Sequence, residues 1–372
     1  MRPFAEHRWT QAINLAEEWV NLGRVPAITF MTGTATERYG PITRGSLWID
    51  REERLPVNPI YLVASITKPL VALAVLQLAE AGLLSLHDRV ADYLPEFGRR
   101  GKYGVEIRHL LTHTSGLPDM LPNDRDLRKA QASLDQFLQG VYEAELAFPP
   151  GRAVQYQSMG YLVLSAIVET ITGSPTSLYL RQTMFAPLSM HDTALGAPAE
   201  WWAQPAEYIA RIPEIRVEGD ARIGVGWNWN SVYWKTLGAP WGGLLTTAPD
   251  LAQLAQTLLR RGISPDGQML WSSQTIGMAT TNQLGQFPEL AETDKRYKRW
   301  GYGWRLNWVG HATSFGDLLS ENVYGHWGAT GTLLWIDPYR GIFSLILSTQ
   351  PQETTGFFLR KLSNVLSACW PM

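Results

Sequence analysis

Apolar positions recur along this chain at helical spacing in some stretches and at strand spacing in others. Trp9, Ala12, Ile13, Ala16, Trp19 and Val20 share one helical face, and Gly23 supplies a stop. VPAITFMTG and GSLWID predict two short strands. VASITKPLVALAVLQLAEAGLL, residues 63–84, is almost unbroken hydrocarbon and reads as a helix ending at Gly82. From about 86 to 235 helical patches alternate with Pro- and Gly-rich loops. Among them MGYLVLSAIVETITG is a helix closed by Gly173, whereas 213–243 has weak periodicity and reads as a long connection. DLAQLAQTLLRRG returns to helix. GYGWRLNWVG, ATGTLLWIDP and GIFSLILST read as strands, the last two forming a hairpin through Asp337, Pro338, Tyr339, Arg340 and Gly341. FFLRKLSNVLSA closes the chain as a helix. The expected fold class is therefore α+β: an antiparallel sheet built from both chain ends and flanked by helices, beside a mainly helical second domain. The expected boundaries are 1–85 with 236–372 for the sheet domain and 86–235 for the helical one.

With 372 residues the chain has ample length for a large core. A net charge of −2 without a basic run leaves a nucleic-acid partner no electrostatic footprint. The single cysteine, Cys369, excludes an internal disulfide and reads as a buried spectator thiol. Polar residues interrupt the first twenty positions too often for a signal peptide, and Gln77 and Glu80 break the longest apolar run. No transmembrane segment is expected, and the reading is of a soluble, cytoplasmic protein. The pattern leaves the oligomeric state open. Sixteen tryptophans are a heavy load, clustered at Trp227, Trp229, Trp234 and Trp241 and again at Trp300, Trp304, Trp308 and Trp327. Packing explains them better than an aromatic-walled cleft.

Within the 63–84 run, Ser65 and Lys68 stand three apart and so share a helical face. Pro69 is tolerated only in a first turn, which puts Ser65 at the helix N-terminus, where free N–H groups favour developing negative charge. An amine among Val63, Leu70 and Val71 loses hydration, which lowers its pKa toward that of a usable base. Two further segments bear on this pair. Tyr156-Gln157-Ser158 precedes a helix, and a phenol near an ammonium has a depressed pKa and can shuttle protons. His326-Trp327-Gly328 reads as the start of a strand, the glycine admitting a ligand to the sheet edge and the histidine orienting a donor or an anion.

These segments, in this order and with these flanks, resemble the serine β-lactamase and penicillin-binding-protein superfamily, in particular its class C β-lactamase-like branch with DD-peptidase, D-aminopeptidase and esterase relatives. VASITKPLVALAVLQLAEAGLLSLHDRVADYLPEF, IRHLLTHTSGLPD, PPGRAVQYQSMGYLVLSAIVETITG, WGGLLTTAPDLAQLAQTLL and HWGATG carry the resemblance over nearly the whole chain. The resemblance implies Ser65 as acylated nucleophile and Lys68 and Tyr156 as its proton-handling partners, with the base among them left open. It further implies an oxyanion hole of the Ser65 and Ala329 N–H groups, and Ser158 bonded to Lys68 or substrate. Substrate contacts would come from Ser158, His326, Trp327, Gly328, Trp241 and Gly242.

Class C enzymes resemble this chain but carry lysine at position 326 and threonine or serine at 327, groups that help bind a carboxylate. Trp327 offers an indole N–H and a large apolar face instead. Gly242 beside Trp241 replaces an aromatic cleft wall. These departures favour a carboxylic ester or small amide over a β-lactam, so an esterase is the leading expectation. β-Lactamase or D-amino-acid peptidase activity and a sensor that acylates without turning over are the alternatives. The partner expected is a small-molecule ester, amide or β-lactam. No cofactor is implied, and His7, His87, His109, His191 and His311 show no metal-ligand spacing. His113 is read as structural, satisfying loop carbonyls. Asp119 and Met120 are candidates for the cleft lining, and Asp88 for a cap or an arginine pair.

Overall fold

The computed structural model describes residues 4–217, 227–307, 315–351 and 357–371. Nine strands occur among them: β1 (Ala27–Thr34), β2 (Arg38–Gly45), β3 (Tyr61–Leu62), β4 (Ala194–Leu195), β5 (Leu244–Thr246), β6 (Arg305–Leu306), β7 (Tyr324–Gly328), β8 (Thr332–Asp337) and β9 (Ile342–Ser348). The main sheet is antiparallel with order β2-β1-β9-β8-β7-β6, so strands from both chain ends meet at the β1–β9 pair. The α+β class read from the pattern is what the chain adopts.

Period-two alternation sorts the sheet's side chains onto two cores. Leu333, Trp335, Ile342 and Ile346 face one core with the terminal helices Glu6–Asn21 and Phe357–Ala368. Leu334, Ile336, Phe343, Leu345 and Leu347 face the larger core, which holds the helices Thr67–Glu80, Met159–Thr172 and Ala248–Leu259. Because both faces are covered, β1, β8 and β9 are buried along their whole length.

Several predicted elements fall elsewhere. The strand expected at GSLWID is displaced to β2, RYGPITRG, an edge strand whose residues are exposed or half-buried and carry no apolar run to announce it. His326-Trp327-Gly328 ends β7 rather than opening a strand, and residues 329–331 turn the chain into β8. Only Arg305–Leu306 of GYGWRLNWVG is strand; its last residues, with Trp308 and His311, lie outside the described residues. The connection at 213–243 contains a short helix, Val232–Leu237, capped by the Ser231 hydroxyl. A second sheet of order β3-β5-β4 has strands too short to show a period, and the pattern missed all three.

The helix Thr67–Glu80 is buried nearly all round. Its two polar interruptions bond across to neighbours: Gln77 Nε2 donates to the Thr183 carbonyl, and Glu80 accepts from the Ser272 N–H. Among the described residues no helix is long and apolar enough to cross a membrane. Cys369 is buried, with its thiol raised to about 12 by burial.

Candidate active site

Ser65 sits in a 3₁₀ turn, Ala64–Ile66, that feeds directly into the helix beginning at Thr67. Ala64 has φ +46, a left-handed conformation costly for a residue with a Cβ. Four bonds hold the turn. Thr67 Oγ1 donates to the Ala64 carbonyl at 2.6 Å and accepts from the Leu244 N–H at 3.0 Å. Thr330 Oγ1 donates to the Leu62 carbonyl at 2.7 Å, and Thr332 Oγ1 to the Val63 carbonyl at 3.0 Å. Thr67→Val, which keeps shape but removes the hydroxyl, is expected to cost about 1–3 kcal/mol of stability by stranding two buried backbone groups, read as a lowered denaturant midpoint at unchanged slope.

Gly328 makes the close approach of β7 to this turn possible. A Cβ there would lie 2.2 Å from the Val63 carbonyl oxygen, so the glycine admits the chain's own backbone rather than a ligand. Ala329 follows in the exposed turn. Neither its N–H nor that of Ser65 has a hydrogen-bond partner among the described residues.

Lys68 is completely buried. Its Nζ donates to Ser65 Oγ at 3.1 Å and to the Trp241 carbonyl at 2.8 Å. Desolvation lowers the amine to about 7, opposed by the exposed Asp119 carboxylate. Lys68 Nζ lies 4.8 Å from the centre of the Tyr156 ring, and the Ser65 hydroxyl is near enough to the Tyr156 phenol to favour its ionised form. The depressed phenol expected beside an ammonium is not found. Tyr156 keeps part of its ring open to the cleft, yet desolvation raises its phenol above the ordinary value, and the nearby Ser65 hydroxyl only partly offsets this. At neutral pH the available lone pair is on the amine.

Ser158 is buried beside Tyr156, but Lys68 donates to Ser65 and the Trp241 carbonyl instead. The Asp119 carbonyl accepts the Ser158 and Met159 N–H groups and so anchors the following helix. Met120 packs against the core, with Arg128 donating to its sulfur. Asp88 caps a turn, accepting from the Ser85 N–H and the Tyr93 hydroxyl, with no arginine involved.

Trp241 is 2% exposed, with its indole packed on Phe137 and Trp234; what it presents to Lys68 is its carbonyl. Gly242 lies against Ala64, with room for a methyl group at 3.8 Å. His326 is buried, with Nδ1 2.7 Å from the Trp327 carbonyl. A carbonyl only accepts, so Nδ1 carries the proton and Nε2, which is buried without a partner, is a bare acceptor. Burial first, and Lys68 second, hold this imidazole at about 3 and therefore neutral. Trp327 points the other way. Strand alternation sends its indole to the core of the terminal helices, and the ring neighbours of Tyr156 are His113, Trp300 and His326. The expectation that it walls the cleft is corrected by that one-residue parity.

Two residues outside the expected set of site residues stand at the site. Trp300 is 6.0 Å from Tyr156 and 5.9 Å from His326, ring centre to ring centre. Arg305 is partly buried, and its guanidinium, 5.8 Å from the Trp300 ring, has no ion pair or hydrogen bond among the described residues. Both line a cavity of about 260 Å³ with Tyr156, Asn307 and Phe315. An arginine in a predicted apolar strand was the available signal, and strand propensity alone gave it no role.

Comparison with known proteins agrees with this architecture. The family model described as Beta-lactamase matches residues 41–366. A protein of Escherichia coli (strain K12) named "Putative D-alanyl-D-alanine carboxypeptidase" is 30% identical over 337 residues, 83% of this chain and 73% of that one. A penicillin-binding-protein homologue from Caulobacter crescentus superposes with a TM-score of 0.79 at 21% identity, covering 99% of both chains. Simvastatin synthase (LovD) from Aspergillus terreus does so at 0.75 and 22%, over 98% of this chain and 99% of that one, and the hydrolase EstCE1 at 0.77 and 17%, over 97% and 98%. At these identities the structural likeness is one of fold. The family match over most of the chain carries the assignment: this protein belongs to the Beta-lactamase family, within the serine β-lactamase and penicillin-binding-protein superfamily of serine hydrolases.

Proposed function

We propose that this chain is a serine acyl-enzyme hydrolase that cleaves an amide bond to a C-terminal residue bearing a free carboxylate, an activity of the D-alanyl-D-alanine carboxypeptidase kind. Neutral Lys68 takes the Ser65 proton, and Ser65 Oγ adds to the scissile carbonyl carbon. The Ser65 and Ala329 N–H groups receive the oxyanion. Tyr156 gives its proton to the leaving nitrogen as the C–N bond breaks and is reprotonated from Lys68. Water then follows the reverse course to release the acid. Ser158, His326 and Gly242 border the reacting atoms.

The observation that carries the substrate class is the unpaired Arg305 in the cavity beside Tyr156. A guanidinium held partly out of bulk water favours a bidentate carboxylate, and this one lines the same cavity as Tyr156. The name of the Escherichia coli relative points to the same chemistry. The preference for an ester rested on the departures at 326, 327 and 242 together; of these, the Trp327 indole packs on the other face of the sheet. The sensor reading loses its motive for the same reason. A carboxylesterase remains the second reading. The bare Nε2 of neutral His326 favours it, since that atom repels a carboxylate placed near it.

Arg305→Met is the discriminating variant. For a D-alanyl-D-alanine peptide KM is expected to rise roughly 10–100-fold, the loss of about 1.5–3 kcal/mol for a charged hydrogen bond. Turnover of p-nitrophenyl acetate should fall less than about threefold. Equal effects on both substrates, or wild-type turnover confined to neutral esters, would reject the carboxypeptidase reading in favour of the esterase.

A further inference from the structure

The buried His113 is left without a role in the chemistry above, although its geometry is unusual. It has φ +59 and holds that left-handed conformation in the interior. Its carbonyl accepts the Gln155 N–H at 3.0 Å, and its Nδ1 accepts the Gln157 N–H at 3.1 Å. Residues 155 and 157 flank Tyr156, and the His113 ring lies 4.7 Å from the Tyr156 ring, centre to centre. The imidazole also meets Trp300 at 4.2 Å, ring centre to ring centre, in an edge-on contact. Backbone and side chain of one residue thus grip both neighbours of the phenol and support its face. Among the described residues the imidazole donates to no loop carbonyl and its Nε2 has no partner; Nδ1 and the His113 carbonyl both accept, while the His113 N–H donates to the Leu110 carbonyl at 3.5 Å.

The surrounding segment is built to hold it. Ser115 Oγ donates to Gln157 Oε1 at 2.9 Å, Gln157 Nε2 donates to the Leu110 carbonyl at 3.2 Å, and the Gly151 N–H bonds to the Thr114 carbonyl at 2.8 Å. Gly116, at φ +84, brings its backbone so close to Phe148 that a Cβ would sit 2.2 Å from that carbonyl oxygen. His-Thr-Ser-Gly is thereby a template against which the Tyr156 loop is laid. Since Nδ1 accepts, the ring proton is on Nε2, and protonating Nδ1 would replace an acceptor with a second donor facing the Gln157 N–H.

We propose that His113 is a positioning residue for Tyr156, its Nδ1 and carbonyl clamping the amides on either side of the phenol so that the hydroxyl is held over Ser65. This rests on the reading of Tyr156 as proton donor to the leaving group. The inference separates from simple packing by leaving-group dependence. A p-nitrophenolate departs without a proton, whereas an amine or alkoxide requires one, so misplacing the phenol penalises only the second class.

Two substitutions tolerate φ +59: His113→Asn, whose Oδ1 replaces the Nδ1 acceptor, and His113→Gly, which offers none. The Asn variant is expected to keep kcat for an alkyl amide or alkyl ester within about fivefold of wild type. The Gly variant should lose about 100-fold on those substrates and less than about tenfold on a p-nitrophenyl ester, mainly in kcat. Equal activity of the two variants, or equal losses on both substrate classes, would overturn the proposal. If the Gly variant does not fold, the Asn variant decides alone: amide turnover within about fivefold supports the clamp, and a loss as deep as that of Tyr156→Phe removes it. Tyr156→Phe is also the control for the underlying reading. Wild-type amide turnover by that variant discards the proton-donor role itself, whereas a crippled Tyr156→Phe beside an intact His113→Gly discards only the clamp.

Discussion

Ser65→Ala is expected to lower kcat for any ester or amide substrate by about 10⁴–10⁶-fold while leaving the fold intact. The hydroxyl is half-buried and among the described residues is hydrogen-bonded to Lys68, and the 64–67 turn is held by threonine side chains and backbone groups that do not involve it. Lys68 keeps its second partner, the Trp241 carbonyl, so no orphaned charge is created. Intact-protein mass spectrometry gives the direct readout. A fluorophosphonate or a β-lactam should add one adduct mass to the wild type, on the peptide containing Ser65, and none to the variant. Labelling of the variant at the wild-type rate, or unaltered ester turnover, would remove Ser65 from the mechanism and with it the whole acyl-enzyme reading.

Lys68→Met combines a large loss of activity with a gain in stability. The amine sits near 7 in the folded protein and near 10.5 when exposed. Between those values the unfolded chain binds the extra proton, so stability contributed through this group rises with pH over that interval, by up to about 5 kcal/mol, and is flat below about pH 7. Methionine fills similar space without that dependence. It loses the hydrogen bond to Trp241, at about 1–3 kcal/mol. The variant should therefore be more stable than wild type at pH 7, and the gap should close as pH approaches 10. Denaturant midpoints at pH 7 and 9.5 check this; a variant less stable by the same amount at both would contradict a neutral buried amine. Activity should fall about 10²–10⁴-fold through loss of the base. In the wild type kcat/KM should climb on its acid side through an apparent pKa near 7, a value belonging to the Lys68–Tyr156 pair rather than to either alone.

The parts of the site that were legible beforehand are those with local geometry. Ser65 and Lys68 are three apart on one helical turn, so their contact follows from spacing, and Pro69 located the turn. Tyr156 was placed by its order among the motifs, and the resemblance brought it to Ser65. Trp327 failed for a definite reason. Motif order says nothing about parity along a strand, and reading β7 as beginning at His326 concealed which face the neighbouring side chain takes. The β2 edge strand was missed because exposed positions carry no apolar rhythm, and the three short strands of the second sheet because two or three residues cannot display one.

The amino-acid sequence by itself determined the α+β class, the buried helix behind Ser65 and the serine–lysine contact, since each depends on residues within a few positions of one another. Tertiary structure alone decided how acidic the Lys68 ammonium is, which way Trp327 points, that the Arg305 guanidinium lines the cavity beside Tyr156 with no partner among the described residues, and that His113 grips the Tyr156 loop. These rest on partners 173 residues away for Lys68 and 44 residues away for His113. Desolvation and hydrogen-bond complementarity come into being only when such distant segments close around a group, and no periodicity along the chain encodes them.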